Sequence, residues 1–106
     1  MTDAPIAARS IVRVVTPDGK KRPGVVIEVQ SELYRVAFGT GTRRDHYEYV
    51  EVMAGERAGK QLRLEKDTYF YAANVAIVSR EHLTVLPGVS SRELAAKLVA
   101  LVDGSG

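Results

Sequence analysis

The run PGVVIEVQSELYRVAFG, residues 23–39, leaves the chain little choice of architecture. Two apolar, β-branched stretches are separated only by Ser31 and Glu32, and a two-residue connection joins strands as an antiparallel hairpin. A parallel crossover would need a dozen residues or more. The segment before it, SIVRVVT at residues 10–16, is rich in side chains that pack on a pleated surface and reads as a further strand. PDGK at residues 17–20 is a turn, with Pro17 presetting φ and Gly19 free to take positive φ.

Downstream, HYEYVEV from His46 alternates strictly, with Tyr47, Tyr49 and Glu51 on one face and His46, Glu48, Val50 and Val52 on the other. QLRLE, NVAIVS and LTVL, at residues 61–65, 74–79 and 83–86, are three weaker strand candidates. MAGERAGKQ, residues 53–61, is polar and carries glycines, which predicts a mobile loop. Short strands at this spacing predict a mainly β domain, a small antiparallel barrel and not a parallel sheet. The end of the chain changes character. In SSRELAAKLVALV, Ser90 stands three residues before Glu93 in the capping-box arrangement, and Leu94, Leu98, Leu101 and Val102 form one stripe. A C-terminal helix over 90–103 is predicted to lie on the barrel. Residues 1–9 read as a flexible N-terminal arm, and 10–103 as one domain, since 106 residues suffice for a single core.

A 45% hydrophobic and 26% charged composition suits a folded domain. The formal net charge is only +2, so a strongly basic surface must be local. With no cysteine, disulfides, thiol catalysis and thiolate metal sites are excluded. His46 and His82 lack paired spacing, which argues against zinc, and no metal or other cofactor is expected. No apolar run has the length of a membrane span and the start lacks signal-peptide order, so the expected compartment is the cytoplasm.

GERAGKQ, residues 55–61, falls one residue short of a phosphate loop and has Gln61 where Ser or Thr should hold magnesium. Asp45 and His46 would point to opposite faces of a strand and make a poor dyad. The five tyrosines, Tyr34, Tyr47, Tyr49, Tyr69 and Tyr71, either stack bases beside Arg35, Arg43 and Arg44 or fill the core with their hydroxyls at the rim; the residues weigh these equally. The strongest candidate is Arg22 with FGTGT, residues 38–42. In the hairpin, the start of one strand and the end of the next share one end of the sheet. Arg22 can then approach Thr40 and Thr42, whose hydroxyls and flanking glycine amides suit a phosphate, and guanidinium offers a fixed fork of donors to it. The plainer alternative is a basic turn packed on a polar rim.

The order IVRVVTPDGKKRPGVVIEV, then YRVAFGTGT, then NVAIVSREHLTVLPGVSSRELAAKLVALV resembles the PemK/MazF-like family of toxin ribonucleases over most of residues 10–102. The resemblance implies an SH3-like barrel of the PemK/CcdB type with a C-terminal helix, usually a homodimer, with an antitoxin protein as partner. It also implies metal-free cleavage of single-stranded RNA, in which a 2′-OH attacks the adjacent phosphate and leaves a cyclic phosphate and a free 5′-OH. By position, Arg22 would stabilise charge and pass a proton, and Thr40 would hold the phosphate. Lys20, Lys21, Thr42, Arg43, Arg44 and Tyr47 would bind the RNA. Departures are visible too. Ala72, Ala73 and Asn74 stand where many members carry an acidic residue, Thr40-Gly41-Thr42 replaces a Thr-Ser pair, and Asp18 is displaced from the first-loop acid. A diverged or inactive member fits these departures. Residues 17–41 also look like a Tudor or KOW-type module, which would bind nucleic acid or protein and catalyse nothing; the amphipathic C-terminal helix favours the toxin-like barrel.

Overall fold

The structure, a computed structural model, describes residues 6–104. In chain order it contains β1 (Ser10–Val15), β2 (Lys21–Gln30), β3 (Leu33–Thr40), β4 (Tyr49–Val52), α1 (Arg57–Gln61), β5 (Thr68–Ser79), a 3-10 turn (Arg80–His82), β6 (Leu83–Val89) and α2 (Arg92–Asp103). All strand pairs are antiparallel, in one sheet of order β4-β5-β3-β2-β1-β6. The fold is thus mainly β with a C-terminal helix, as the sequence predicts. Its centre is the expected hairpin, with Gln30 opposite Leu33 and Gly24 opposite Phe38. Ser31 takes φ of 57°, the left-handed conformation that a primed hairpin turn asks of its first central residue.

Two apolar clusters sit on opposite faces of this sheet. On one, Ile11, Val25, Ala37 and Phe70 lie beneath Leu94, Leu98 and Leu101 of α2. The helical stripe lands where its spacing places it, and full burial of Leu98 contributes about 1.5–3 kcal/mol. On the other face Val12, Val14, Val26 and Val36 are completely shielded although no helix covers them. Their cover comes from Ile6, from Ala76 and Val78 of β5, and from Leu83 and Val85 of β6. The sheet therefore curls over its own face, as its inherent twist favours. Among the described residues β4 and β6 end the ladder without pairing to each other.

Several expectations from the sequence are corrected. QLRLE is not a strand, and the loop expected to be mobile contains α1. Leu64 N–H bonds the Gly59 carbonyl and Arg63 N–H bonds the Lys60 carbonyl, with Arg63 at φ of 55°. That is the double hydrogen bond that terminates a helix through a left-handed residue, and it turns the chain before a strand can form. β4 begins at Tyr49 and not at His46, because residues 45–47 turn and Tyr47 N–H bonds the Arg44 carbonyl at 3.3 Å. NVAIVS is the second half of β5, which begins six residues earlier at Thr68 and bulges against β3 between Phe70 and Val75.

The helix begins later than the capping box predicts. Ser91 is the N-cap, its hydroxyl accepting from Leu94 N–H at 3.1 Å, and Glu93 pairs with Lys97 instead. Ser90 cannot serve, because its N–H bonds the Arg9 carbonyl at 2.8 Å and its own carbonyl accepts from the Arg9 guanidinium at 2.7 Å. The same bonds dock residues 6–9 of the expected arm; the rest of that arm lies outside the described residues.

Candidate nucleic-acid interface

The hairpin register brings the expected pair together. Val26 faces Val36 and Gly24 faces Phe38, the last pair of the β2–β3 ladder, and beyond it Arg22 pairs with Val14 of β1 and Thr40 with Tyr69 of β5 at the same end of the sheet. Arg22 and Thr40 both line a cleft of about 250 Å³. Lys21 joins them from β2, Arg13 enters from β1, and Arg63 and Lys66 come from the segment between α1 and β5. Five cations therefore converge, with Glu65 the one carboxylate in the lining among the described residues. In a chain of net charge +2 this is a strong local excess, and clefts of one sign concentrate counter-ions.

Local chemistry holds the cleft in shape. Thr16 donates its hydroxyl to Asp18, whose carboxylate also accepts from Lys20 N–H at 3.2 Å and from Arg22 Nη2 at 3.3 Å. The Thr16 hydroxyl most of all, then the Lys20 amide, with Arg22 adding less, keep the Asp18 carboxyl at about 2, below the usual carboxylate range. The acid of the turn thus orients the arginine, whose side chain is only 25% exposed. Gly39 permits the floor, since a Cβ there would stand 2.2 Å from Thr68 Cγ2. Gly41 permits the far wall, where the Lys66 stem lies so close that a Cβ would be 2.2 Å from Cε. Arg63 reaches the cleft from its left-handed position, which costs about 1–2 kcal/mol for a residue with a Cβ.

Of the residues expected to bind RNA, Lys21 joins Arg22 and Thr40, whereas Lys20, Thr42, Arg43, Arg44 and Tyr47 do not line this cleft. Lys20 is exposed on the turn. Thr42 N–H points back to the Thr40 hydroxyl at 3.4 Å. Arg43 bonds Asp45 at 3.0 Å, and that carboxylate pushes the guanidinium pKa up. Arg44 and Tyr47 line a second cavity across the same loop. Arg13, Arg63, Lys66 and Glu65 were not singled out by spacing. Arg13 carries a readable signal, as the charged residue between Val12 and Val14; Arg63 and Lys66 reach the cleft only through the turn after α1.

The tyrosines divide between the two readings. Tyr34 packs against the self-covered apolar cluster. Tyr49 packs edge-on against Tyr69 and Tyr71, with centroids 5.3 and 6.0 Å away. The Tyr69 phenol pKa is pushed up, first by burial and then by its bond to Glu51. Tyr71 is buried at 6% exposure, and its hydroxyl donates to the Thr42 carbonyl at 3.0 Å and accepts from Arg44 N–H. It thereby pins the loop that follows Thr40.

No family model matches this chain, and no curated protein does. Among the described residues no helix is long and apolar enough to cross a membrane, and no group of three or more acidic or histidine side chains could hold a metal ion.

Proposed function

We propose that the chain is a cytoplasmic, toxin-like endoribonuclease that holds a phosphate of single-stranded RNA in the cleft of Arg22 and Thr40. The observation that carries this reading is the convergence of Arg22, Thr40, Lys21, Arg13, Arg63 and Lys66 on one cleft. Lysine and arginine on a backbone phosphate supply most non-specific affinity for nucleic acid. Guanidinium fixed beside the phosphate, with the Thr40 hydroxyl donating to a non-bridging oxygen, stabilises the charge that grows as the 2′-oxygen attacks phosphorus and the bond to the 5′-oxygen breaks. Glu65 is the lining carboxylate able to accept the 2′-OH proton, and water protonates the leaving 5′-oxygen. No metal enters this scheme. A homodimer belongs to the same reading, docked through the exposed Leu33 and Ile77 on adjacent strands, and light scattering that stays at monomer mass across dilution would remove it.

The deciding experiment is cleavage of a long single-stranded RNA in chelator by the wild type and by Arg22→Ala, with the product ends identified. Cyclic-phosphate ends made by the wild type and lost in Arg22→Ala support the reading. A second reading, a non-catalytic binding domain, is favoured by the hold of Asp18 on Arg22 and by the single carboxylate in the cleft. Intact RNA that binds with steep salt dependence selects it.

A further inference from the structure

The 41–48 loop separates two cavities, and the second has a different chemistry from the cationic cleft. It encloses about 320 Å³, within the roughly 300–1,000 Å³ typical of small-ligand sites. Tyr71, Ala72 and Leu101 give it an apolar floor, and Tyr47 stands at its mouth with 62% of its surface exposed. The Tyr47 and Tyr71 rings are 6.4 Å apart at 83°, so a flat ring stacked on one meets the edge of the other. Arg44, Glu48 and Asn74 supply the polar groups of the lining. An aromatic corner with a few hydrogen-bonding side chains is how an unstacked base is held.

We propose that this cavity takes one nucleobase of the strand whose phosphate lies in the cationic cleft, and that the base is guanine; this rests on the RNA reading above. Guanine presents adjacent N–H donors on one edge, which the Glu48 carboxylate can accept, and O6 and N7 acceptors, which suit Arg44. Asn74 offers both a donor and an acceptor to the same ring. Adenine and uracil offer Glu48 no comparable pair of adjacent donors.

Placement supports the link between the sites. Tyr71 forms the floor of the cavity with its ring and pins the loop at Thr42 and Arg44 with its hydroxyl. Thr40 and Arg44 are four positions apart in the chain, so their Cα atoms are at most about 14 Å apart. The bulge in β5 that interrupts pairing after Phe70 puts Ala72, Ala73 and Asn74 at this cavity, where small side chains leave room for a ring.

The test uses labelled 2′-fluoro uridine oligonucleotides, which lack the attacking hydroxyl, carrying one central G, A, C or U. Binding to the full chain is read by fluorescence anisotropy across salt concentrations. The expected result is a preference of about tenfold or more for central G, reduced to the level of U in Glu48→Gln and in Asn74→Ala, with an unchanged salt slope. Circular dichroism confirms that both variants are folded. Equal affinity for all four oligonucleotides, or a G preference that survives both substitutions, overturns the pocket assignment. Salt-steep binding without base preference removes the pocket and leaves the RNA reading standing, whereas no binding at low salt removes both. Self-association abolished by Tyr47→Ala would give the cavity to a second copy of the chain and overturn the proposal as well.

Discussion

The cationic cleft and the larger cavity at the base of α2 make an instructive pair. The second, between α1, α2, β4 and the end of β6, has about 530 Å³, roughly twice the volume of the first at 250 Å³. Its charges, however, balance: Arg9, Arg57 and Lys97 stand against Glu51, Glu56 and Glu93. Most are also occupied, since Arg9 bonds the Ser90 carbonyl, Lys97 pairs with Glu93 at 3.2 Å, and Glu56 accepts from Met53 N–H at 2.8 Å. In the cleft the cations outnumber acids five to one. Volume alone records how elements pack, while an unbalanced charge held in place by the fold is a requirement that a ligand satisfies.

Substitutions can break this contrast. The largest effect is expected from Arg22→Ala, which removes the central donor of the cleft and should lower RNA cleavage about 10²–10³-fold, whereas Arg57→Ala in the balanced cavity should leave cleavage unchanged. Product formation under single-turnover conditions compares the two. Gly39→Val comes next. Its side chain would collide with Thr68 and Phe70, and overpacking of this kind costs about 1–3 kcal/mol, read as a lower urea midpoint. Gly41→Ala should cost less, because the atom it meets is the flexible end of Lys66. Ser91→Ala at the balanced cavity removes the helix cap and should cost about 1 kcal/mol of stability while leaving RNA affinity untouched.

Arg63→Gly sharpens the comparison further, because its two effects should have opposite signs. Glycine suits the left-handed position that ends α1, so stability should rise by about 0.5–1 kcal/mol, read as a higher urea midpoint. RNA binding should weaken, with the salt slope falling by about one unit as a phosphate partner is lost. The smallest effect concerns Asp18. Its carboxyl sits at about 2 in the folded chain and higher when unfolded, so its contribution to stability is complete above the ordinary carboxylate range and fades as pH falls toward 2. Asp18→Asn should lower stability slightly at neutral pH and flatten the acid limb, so that its profile and that of the wild type converge as pH falls toward 2.

The parts of this molecule written in local chemistry were readable from the sequence. Two residues between apolar runs define the hairpin, its geometry puts Arg22 near Thr40, and the leucine spacing chooses the buried face of α2. What was not readable depends on distant partners. The spacing to Glu93 points to Ser90 as the cap, and only Arg9, some eighty residues away, takes the backbone of Ser90 and leaves the cap to Ser91. QLRLE has strand-like side chains, yet the hydrogen bonds that close α1 turn it aside. Arg63 and Lys66 belong to the cleft only because that turn brings them back, and periodicity in the sequence carries no trace of it.

The position of β1 has a further consequence, for how the chain is made. β1 pairs with β2, which follows almost at once, and with β6, which arrives about seventy residues later. Until β6 has been synthesised, one flank of β1 has no partner and Val12 and Val14 lack the cover that Leu83 and Val85 supply. The β1–β2 pair can form early, but the apolar face gains its last cover only once β6 has been made. Late, non-local pairing of this kind slows folding and leaves a strand edge open to other chains meanwhile. The nascent protein thus carries its cationic rim before it owns a finished interior, and a chain stopped short of β6 would be a sticky fragment, not a smaller version of the same fold.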